Sequence, residues 1–328
     1  MAKYAGVSQA SVSRTFANKG NVTEKTKAKV LKAAEELGYN PNAIARGLIQ
    51  STTNMIGLVM LRFMNPFYAY LLKQFTSELQ KLGYVVLLFA IDDETDVNEA
   101  LPIALQYYVD GIIITSATLS SKMAEGCVKS GTPVVLFNRY TSFKDINSVR
   151  TDNVGGGRAI ADFLIDGGHK RIGYLAGEEK SSTNQDRQKG FLERLKEHRY
   201  DLHSYILGDY TYESGYELGK RILQTDEPPD ALFCANDLMA MGVMDAARNE
   251  LGIRVPEDVS VVGFDDIAQA QWPPYRITTY RQPLGQLVAE TIDVLLSAVK
   301  NPGSEVVTRI LKGELVIRDS ARIADHSL

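Results

Sequence analysis

From about residue 55 onward, short apolar runs alternate with amphipathic stretches of helical period, and no other feature constrains the fold as tightly. The runs fall at 55–61, 85–90, 111–115, 133–137, 171–175, 231–234 and 259–264. Between them, helical periodicity occupies roughly 66–82, 95–107, 120–130, 154–167, 184–197, 213–224, 237–250 and 284–299. Strands and helices alternating at this spacing form βαβ units around parallel sheets. Leu82-Gly83-Tyr84, Asp110-Gly111 and Gly167-Gly168-His169 punctuate the elements. A body of about 270 residues is large for one doubly wound sheet. An extra run at 146–151, followed by Gly155, Gly156 and Gly157, marks a passage into a second lobe. The expectation is an α/β core of two lobes that enclose a small molecule beyond the carboxyl ends of their strands.

Residues 1–50 break this pattern. They hold eight basic side chains (Lys3, Arg14, Lys19, Lys25, Lys27, Lys29, Lys32, Arg46) against Glu24, Glu35 and Glu36. That is a charge of +5 on a chain of net −4, so the remaining 278 residues carry −9. A basic head on an acidic body suits a chain that meets a polyanion at one end. A helix with a solvated lysine face accounts for Lys25 to Lys32 equally well. Gly6 suits the left-handed end of one helix, and Ser8 can cap the next. Val12 and Phe16, one turn apart, then face inward with Ala5 and Val7. Gln9, Ala10, Ser13 and Arg14 are left outward, and these are side chains that touch base edges and phosphates. A plain α-hairpin core gives the same apolar spacing. A further helix at 24–37 starts at Thr23 and stops at Gly38.

Several function classes lose support. No apolar stretch reaches the roughly 18–20 residues of a membrane span. Met1-Ala2-Lys3-Tyr4-Ala5-Gly6 has no apolar secretion core, so a cytoplasmic protein is expected. Cys127 and Cys234 are too few and too isolated for a disulfide framework or a zinc cage and read as buried thiols. His169 lies in a turn, and His198, His203 and His326 lack metal-ligand spacing. Asp265 and Asp266 are neighbours, and on an extended backbone their carboxylates point apart, which does not make an acid/base pair. Gly155 to Gly157 lack the lysine of a phosphate-cradling loop and begin a helix packed closely on a sheet. Neither catalysis nor a metal or cofactor is expected.

The run from Ala5-Gly6-Val7-Ser8 through Ser11-Val12-Ser13-Arg14 to Gly38-Tyr39-Asn40-Pro41-Asn42, Ala45-Arg46 and Leu48 closely resembles the lactose-repressor/galactose-repressor family. Ile56-Gly57-Leu58 opens the core as it does in that family. The likeness continues through Asn65-Pro66-Phe67-Tyr68, Asp110-Gly111-Ile112-Ile113, Asp152-Asn153, Gly167 to Ile172, Asn236-Asp237 and Val259 to Asp266. It implies an all-α helix-turn-helix head at 1–49 and a two-lobed core at 54–328 like periplasmic sugar-binding proteins. Lobe 1 would span about 54–151 and 283–310, and lobe 2 about 152–282 and 311–320.

The resemblance places Gln9 and Ala10, with Arg14 beside them, where a recognition helix reads the major groove. Ser11 and Ser13 would anchor to phosphates, Ser8 would also contact DNA, and Asn42 and Arg46 would lie on a hinge helix at 42–49. Leu48 matches a leucine wedged into the minor groove at the operator centre, where unstacking one base step costs a few kcal/mol, offset by contacts that the bend permits. Family members have several more residues before the point where this chain starts, so the first helix is expected to be short. In the core, the implied effector contacts are Arg139, Arg187, Tyr210, Asn236 and Asp265. Phe63 and Phe67 would lie at the cleft mouth, and Ser181 and Thr183 on the loop before Arg187.

These residue types suit a hydroxylated ligand. Asp265 accepts hydroxyl hydrogen bonds, both arginines donate through rigid forks, Asn236 does both, and Tyr210 offers a flat face to a sugar ring. Two arginines equally suit a phosphorylated or acidic sugar, whereas Ser181 stands where purine-responsive relatives have arginine. A plain Arg187–Asp265 salt bridge holding the lobes together is the structural alternative. The function implied is a homodimeric, effector-controlled regulator, most simply a repressor, on a pseudo-palindromic operator. A sugar-binding protein with a non-functional head is the alternative, and a sugar-modifying enzyme on the same fold comes third. The tail after Arg318 lacks a leucine heptad, so no tetramerising helix is expected. Replacing Leu48 by Ala is expected to weaken specific operator binding in a DNA titration while effector affinity, measured by calorimetry, stays unchanged. Equal loss of both would refute the wedge.

Overall fold

Two units divide the chain, Met1–Asn54 and Met55–Leu328. The computed structural model describes residues 1–17, 22–39, 52–61, 65–91, 97–115, 126, 128–141 and 145–323. The expected hinge at 42–49, with Asn42, Arg46 and Leu48, lies outside the described residues, as do Phe63, Cys127 and most of the helix expected at 120–130.

In the head, helix α1 (Ala2–Ala5) ends at Gly6, whose φ of 65° is a left-handed conformation that glycine adopts without a Cβ penalty. The Ser8 hydroxyl accepts from the amide of Ser11 at 3.1 Å and caps α2 (Gln9–Ala17). Helix α3 (Glu24–Glu36) is capped by Thr23, whose hydroxyl accepts from the Thr26 amide. Val30, Ala33 and Ala34 are buried, with Ala5, Val7, Val12 and Phe16 half-buried and Phe16 packed against Tyr39. Gln9, Ala10, Ser13 and Arg14 are exposed, which is the division that the apolar spacing implies.

The core holds two six-stranded sheets. The first contains β1 (Met55–Leu61), β2 (Val85–Ile91), β3 (Gly111–Ile114), β4 (Val134–Phe137), β5 (Asn147–Thr151) and β11 (Thr308–Leu311), in the order β11-β5-β4-β3-β1-β2. All its pairs are parallel. Helix α4 (Pro66–Lys81) lays Phe67, Leu71, Phe75 and Leu79, spaced by one turn, into this lobe's core. Helices α5 (Val97–Gln106) and α10 (Leu284–Lys300) also belong to this lobe. The second sheet contains β6 (Ile172–Ala176), β7 (Ser204–Leu207), β8 (Ala231–Cys234), β9 (Ser260–Asp265), β10 (Thr278–Arg281) and β12 (Glu314–Val316), ordered β12-β10-β9-β8-β6-β7. Only β12 runs antiparallel within it. Its layers are α6 (Asn153–Asp166), α7 (Ser182–Glu197), α8 (Tyr212–Leu223) and α9 (Asp237–Asp245). The chain passes between the sheets after β5, after β10 and after β11.

Strands β7, β10, β11 and β12 are absent from the apolar runs of the sequence. Both β7 and β11 are edge strands in which exposed and half-buried residues alternate, so neither forms a continuous apolar run. Strand β10 buries Thr278 and Thr279, whose hydroxyls donate to the Arg318 carbonyl and to Asp237, and polar residues of this kind hide it from a hydrophobicity pattern. Cys234 is a buried thiol whose pKa is pushed up by desolvation.

The glycine cluster does what the sequence suggests, with more stringency. A Cβ on Gly156 would meet the rings of Phe264 and Tyr280 on the sheet. One on Gly157 would lie 2.2 Å from the carbonyl oxygen of Arg187, and one on Gly190 would lie 2.0 Å from that of Val154. Helices α6 and α7 therefore touch backbone to backbone, and this contact sets the height at which α7 carries Arg187. Gly157→Ala is expected to destabilise the protein by about 1–3 kcal/mol in chemical denaturation, the range for overpacking a filled core. Gly285→Ala, where nothing lies within 4 Å of the new methyl, is the control and should be neutral or slightly stabilising.

Candidate functional site

Arg187, in the second turn of α7, is only 3% exposed, so every donor on its guanidinium needs a partner inside the protein. Its Nε donates to Asn153 Oδ1 at 2.9 Å, and Nη1 donates to the Ala235 carbonyl. Nη2 donates to Asp265 Oδ1 at 3.4 Å, and the guanidinium carbon lies 3.6 Å from the centroid of the Phe264 ring. Both members of this ion pair belong to the second lobe, so it does not tie the lobes together as the plain salt-bridge alternative required.

The backbone at Asp265 and Asp266 is not extended. Their φ values of 116° and 57° lie in the left-handed region, which corrects the extended geometry assumed for them. The carboxylates nonetheless separate. Asp265 accepts from Gln282 Nε2 at 2.6 Å inside the cleft, whereas Asp266 accepts from Arg281 and Arg318, each at 2.6 Å. Desolvation raises the pKa of Asp265, and Arg187 and the Gln282 hydrogen bond offset only part of that rise.

Gln282, just beyond β10 on the second crossing, is one of the residues that join the lobes. Its Oε1 accepts from Asn138 Nδ2 at 2.8 Å and from Thr151 Oγ1 at 2.6 Å, both from the first lobe, while its Nε2 serves Asp265. Asn138, with φ 53° at the end of β4, also accepts from the Thr151 amide. Gln282, Asn138, Thr151 and Asn153 escaped the sequence reading. A usable signal existed, since Asn138 directly follows an apolar run, at the strand end where α/β sheets bind ligands.

Arg139, next in the chain, reaches across to the second lobe and donates through Nη1 to Thr183 Oγ1. Thr183, Ser181 and Tyr210 form a closed hydroxyl cluster, with Ser181 to Thr183 at 2.9 Å, Thr183 to Tyr210 at 3.1 Å and Ser181 to Tyr210 at 3.3 Å. Arg139 Nε is buried without a hydrogen-bond partner. Tyr210 has φ 70°, and its ring lies against Gly177, where a Cβ would come within 2.2 Å of it. One flat face is thereby used inside the protein. Asn236 is also engaged structurally: Oδ1 caps α9 through the Met239 amide at 2.9 Å, and Nδ2 donates to the Tyr210 carbonyl at 3.0 Å. It orients Tyr210, with one hydrogen and one lone pair left over. Phe67, buried in the first turn of α4, lines a cavity of about 850 Å³ together with Asp265, Ile267 and Gln282. Arg139, Ser181, Thr183, Arg187, Tyr210 and Asn236 are not among its lining residues. On the head, Ser8 and Ser11 hydrogen-bond each other at 2.9 Å at the start of α2, and Ser13 is exposed.

Residues 1–42 match the family model described as bacterial regulatory proteins, lacI family, and residues 161–321 match that of a periplasmic binding protein-like domain. The probable HTH-type transcriptional repressor ExuR of Bacillus subtilis (strain 168) is 32% identical over 329 residues, covering 98% of this chain and 97% of its own. The chain belongs to the lacI family. As a lacI-family protein it is a DNA-binding transcriptional regulator with a helix-turn-helix head and a two-lobed core. The lac repressor dimer bound to operator and the anti-inducer ONPF superposes with a TM-score of 0.88 at 28% identity, covering 98% of this chain and 97% of that one. The CelR–cellobiose complex gives 0.74 at 29% identity, with 98% of each chain covered. These relatives are transcriptional regulators, not enzymes. Among the described residues no helix is long and apolar enough to cross a membrane.

Asp237, the first residue of this lacI-family protein's α9, lies beneath the site and is fully buried. It accepts from Thr279 Oγ1 at 2.6 Å and from the Ile267 amide at 2.9 Å. Burial, then the charge of Asp265, raises its pKa well above the ordinary 3.8. The folded state therefore holds this proton at pH values where the unfolded chain has released it. Stability gains from this group as pH falls through the folded value and levels off below the unfolded one. Asp237→Asn, nearly isosteric, should remove that gain, making the slope of unfolding free energy against pH less negative by up to about 1.4 kcal/mol per pH unit. Urea titrations between pH 4 and 8 measure it, and identical slopes in both proteins would contradict it.

Proposed function

We propose that this chain is a repressor that grips a pseudo-palindromic operator as a homodimer and is controlled by a sugar or sugar derivative held between its lobes. The reading divides it into a head at 1–49, with a hinge helix at 42–49, and a core at 54–328. Lobe 1 takes about 54–151 and 283–310, and lobe 2 about 152–282 and 311–320. The observation that carries the proposal is the set of polar contacts converging across the cleft, Arg139 with Thr183, and Asn138 and Thr151 through Gln282 with Asp265. A ligand that inserts among them changes how far the lobes close, and a differential affinity for two closures is what an allosteric effector needs.

In this reading Phe63, Phe67, Arg139, Ser181, Thr183, Arg187, Tyr210, Asn236 and Asp265 contact the effector. Ser8, Gln9, Ala10, Ser11, Ser13, Arg14, Asn42, Arg46 and Leu48 contact DNA. The exposure of Gln9, Ala10, Ser13 and Arg14 on a capped helix supports the second set. The relatives support both halves, since one solved structure is a dimer on operator and another holds cellobiose. The divergent partners of Asp265 and Asp266 support binding rather than catalysis, and the site of action is the cytoplasm, where operator DNA is. By linkage, effector and operator change each other's affinity by one common factor.

The test is selection of genomic DNA fragments by the purified protein at moderate salt, with and without a panel of sugars and sugar phosphates. Enrichment of one palindrome, altered by a single ligand, is the expected result. A protein that binds sugar but enriches no fragment would replace this reading with that of a sugar-binding protein with an inactive head.

A further inference from the structure

The cavity that Phe67 lines is larger than one sugar ring needs. Its volume of about 850 Å³ is near the top of the roughly 300–1,000 Å³ spanned by pockets for drug-sized molecules. At its inner end Phe67, Asp265, Ile267 and Gln282 are buried, whereas Ala69, Tyr70, Gln271 and Gln286 at its outer end are exposed. The two hydrogen bonds that Asp265 accepts, from Arg187 and Gln282, both go to Oδ1, so Oδ2 is left for a ligand. Gln282 Nε2 has a second hydrogen to donate. One acceptor and one donor suit the hydroxyls of a single ring. The wall continues well past them. Gln269 belongs to the 3₁₀ turn Ala268–Gln271 and lines the cavity, and its Oε1 is buried with no hydrogen-bond partner. A buried acceptor left without a donor costs about 1–3 kcal/mol, which a ligand O–H recovers. Phe67 and Tyr70 lie three residues apart on α4, about 4.5 Å along its axis at roughly 1.5 Å per residue, close to the spacing of successive rings in an oligosaccharide. The charged groups beyond Asp265 are already engaged: Asp266 accepts from Arg281 and Arg318, and Arg281 also donates to Glu314. Outward from Asp265 the wall therefore offers amides, a phenol and apolar faces, the groups that recognise hydroxylated rings.

We propose that the effector is an oligosaccharide, with one ring on Asp265 and Gln282 and the next lying past Phe67 toward Tyr70, where Gln269 accepts one of its hydroxyls. This rests on the effector reading above and narrows it to ligands of two or more rings. A monosaccharide fills only the inner end and leaves Gln269 Oε1 unsatisfied. A second ring satisfies that oxygen and covers apolar surface on α4 in the same step.

Calorimetric titration of the full chain with matched series tests this: D-glucose with cellobiose, maltose and cellotriose, D-galactose with lactose, and D-xylose with xylobiose. In one series the disaccharide should bind tenfold or more tighter than its monosaccharide, about the factor that one recovered buried hydrogen bond supplies. Ala69→Trp, an exposed substitution that fills the outer end, should bring that disaccharide to within about threefold of the monosaccharide. Gln269→Leu, which removes the acceptor at similar size, should cost the disaccharide about fivefold or more and the monosaccharide distinctly less. The phenyl glycoside of the same monosaccharide distinguishes a second sugar from any apolar group; if it binds as tightly as the disaccharide, the hydroxyl assigned to Gln269 is not read and the proposal fails. Monosaccharides that bind as tightly as their longer relatives in every series, or disaccharide affinity that neither substitution lowers, would also overturn it, with the effector reading intact. If no sugar of any length binds, the sugar-effector reading fails and this assignment with it.

Discussion

The Arg187–Asp265 pair is buried, and that one fact organises the middle of the molecule. Desolvating two charges costs several kcal/mol per ion, and a single contact at 3.4 Å does not offset that alone. The rest comes from neighbours placed around it. Asn153 and the Ala235 carbonyl take the other donors of Arg187, the Phe264 ring lies flat beneath its guanidinium, and Gln282 donates to Asp265. Each neighbour is itself positioned by backbone. Gly157 and Gly190 let α6 and α7 touch, bringing Asn153 and Arg187 within reach of each other, and β9 ends in a left-handed turn that directs Asp265 inward.

From this fixed centre the coupling between lobes follows. Gln282 sits on a crossing segment and is bonded on one side to Asn138 and Thr151 and on the other to Asp265. Directional hydrogen bonds between two lobes can be exchanged for bonds to a ligand at little net cost. That exchange is the physical basis for a switch. It also accounts for the buried hydroxyl cluster of Ser181, Thr183 and Tyr210, whose members have no stronger partner than one another and Arg139.

Much of this architecture was legible in the sequence because it rests on periodicity. Continuous apolar runs mark strands buried on both faces, such as β3, β4, β6, β8 and β9, and each was read in place. Helix α4 repeats apolar residues every four positions, Thr23 and Ser8 have hydroxyls suited to the cap positions they occupy, and Gly6, without a Cβ, suits its left-handed turn. The edge strands β7 and β11 and the threonine-rich β10 escape for the converse reason, since a strand that is half exposed or buries hydroxyls on distant partners carries little hydrophobic signal. The long motif through the head carries the resemblance to a family of regulators, because its residues are near neighbours in the chain.

The sequence by itself determined the division between a basic helical head and a parallel α/β core, and the identity of the polar residues at the strand ends. Local sterics and burial preference act over a few residues, so they can be read from the chain directly. Only the tertiary structure decided how those polar residues are paired. Arg187 and Asp265 lie 78 residues apart and Gln282 and Asn138 lie 144 apart, and no local rule says which donor finds which acceptor. The folded core made Arg187 an internally compensated charge and left Arg139 facing hydroxyls, because a guanidinium buried away from water takes whatever acceptors the packing brings within reach.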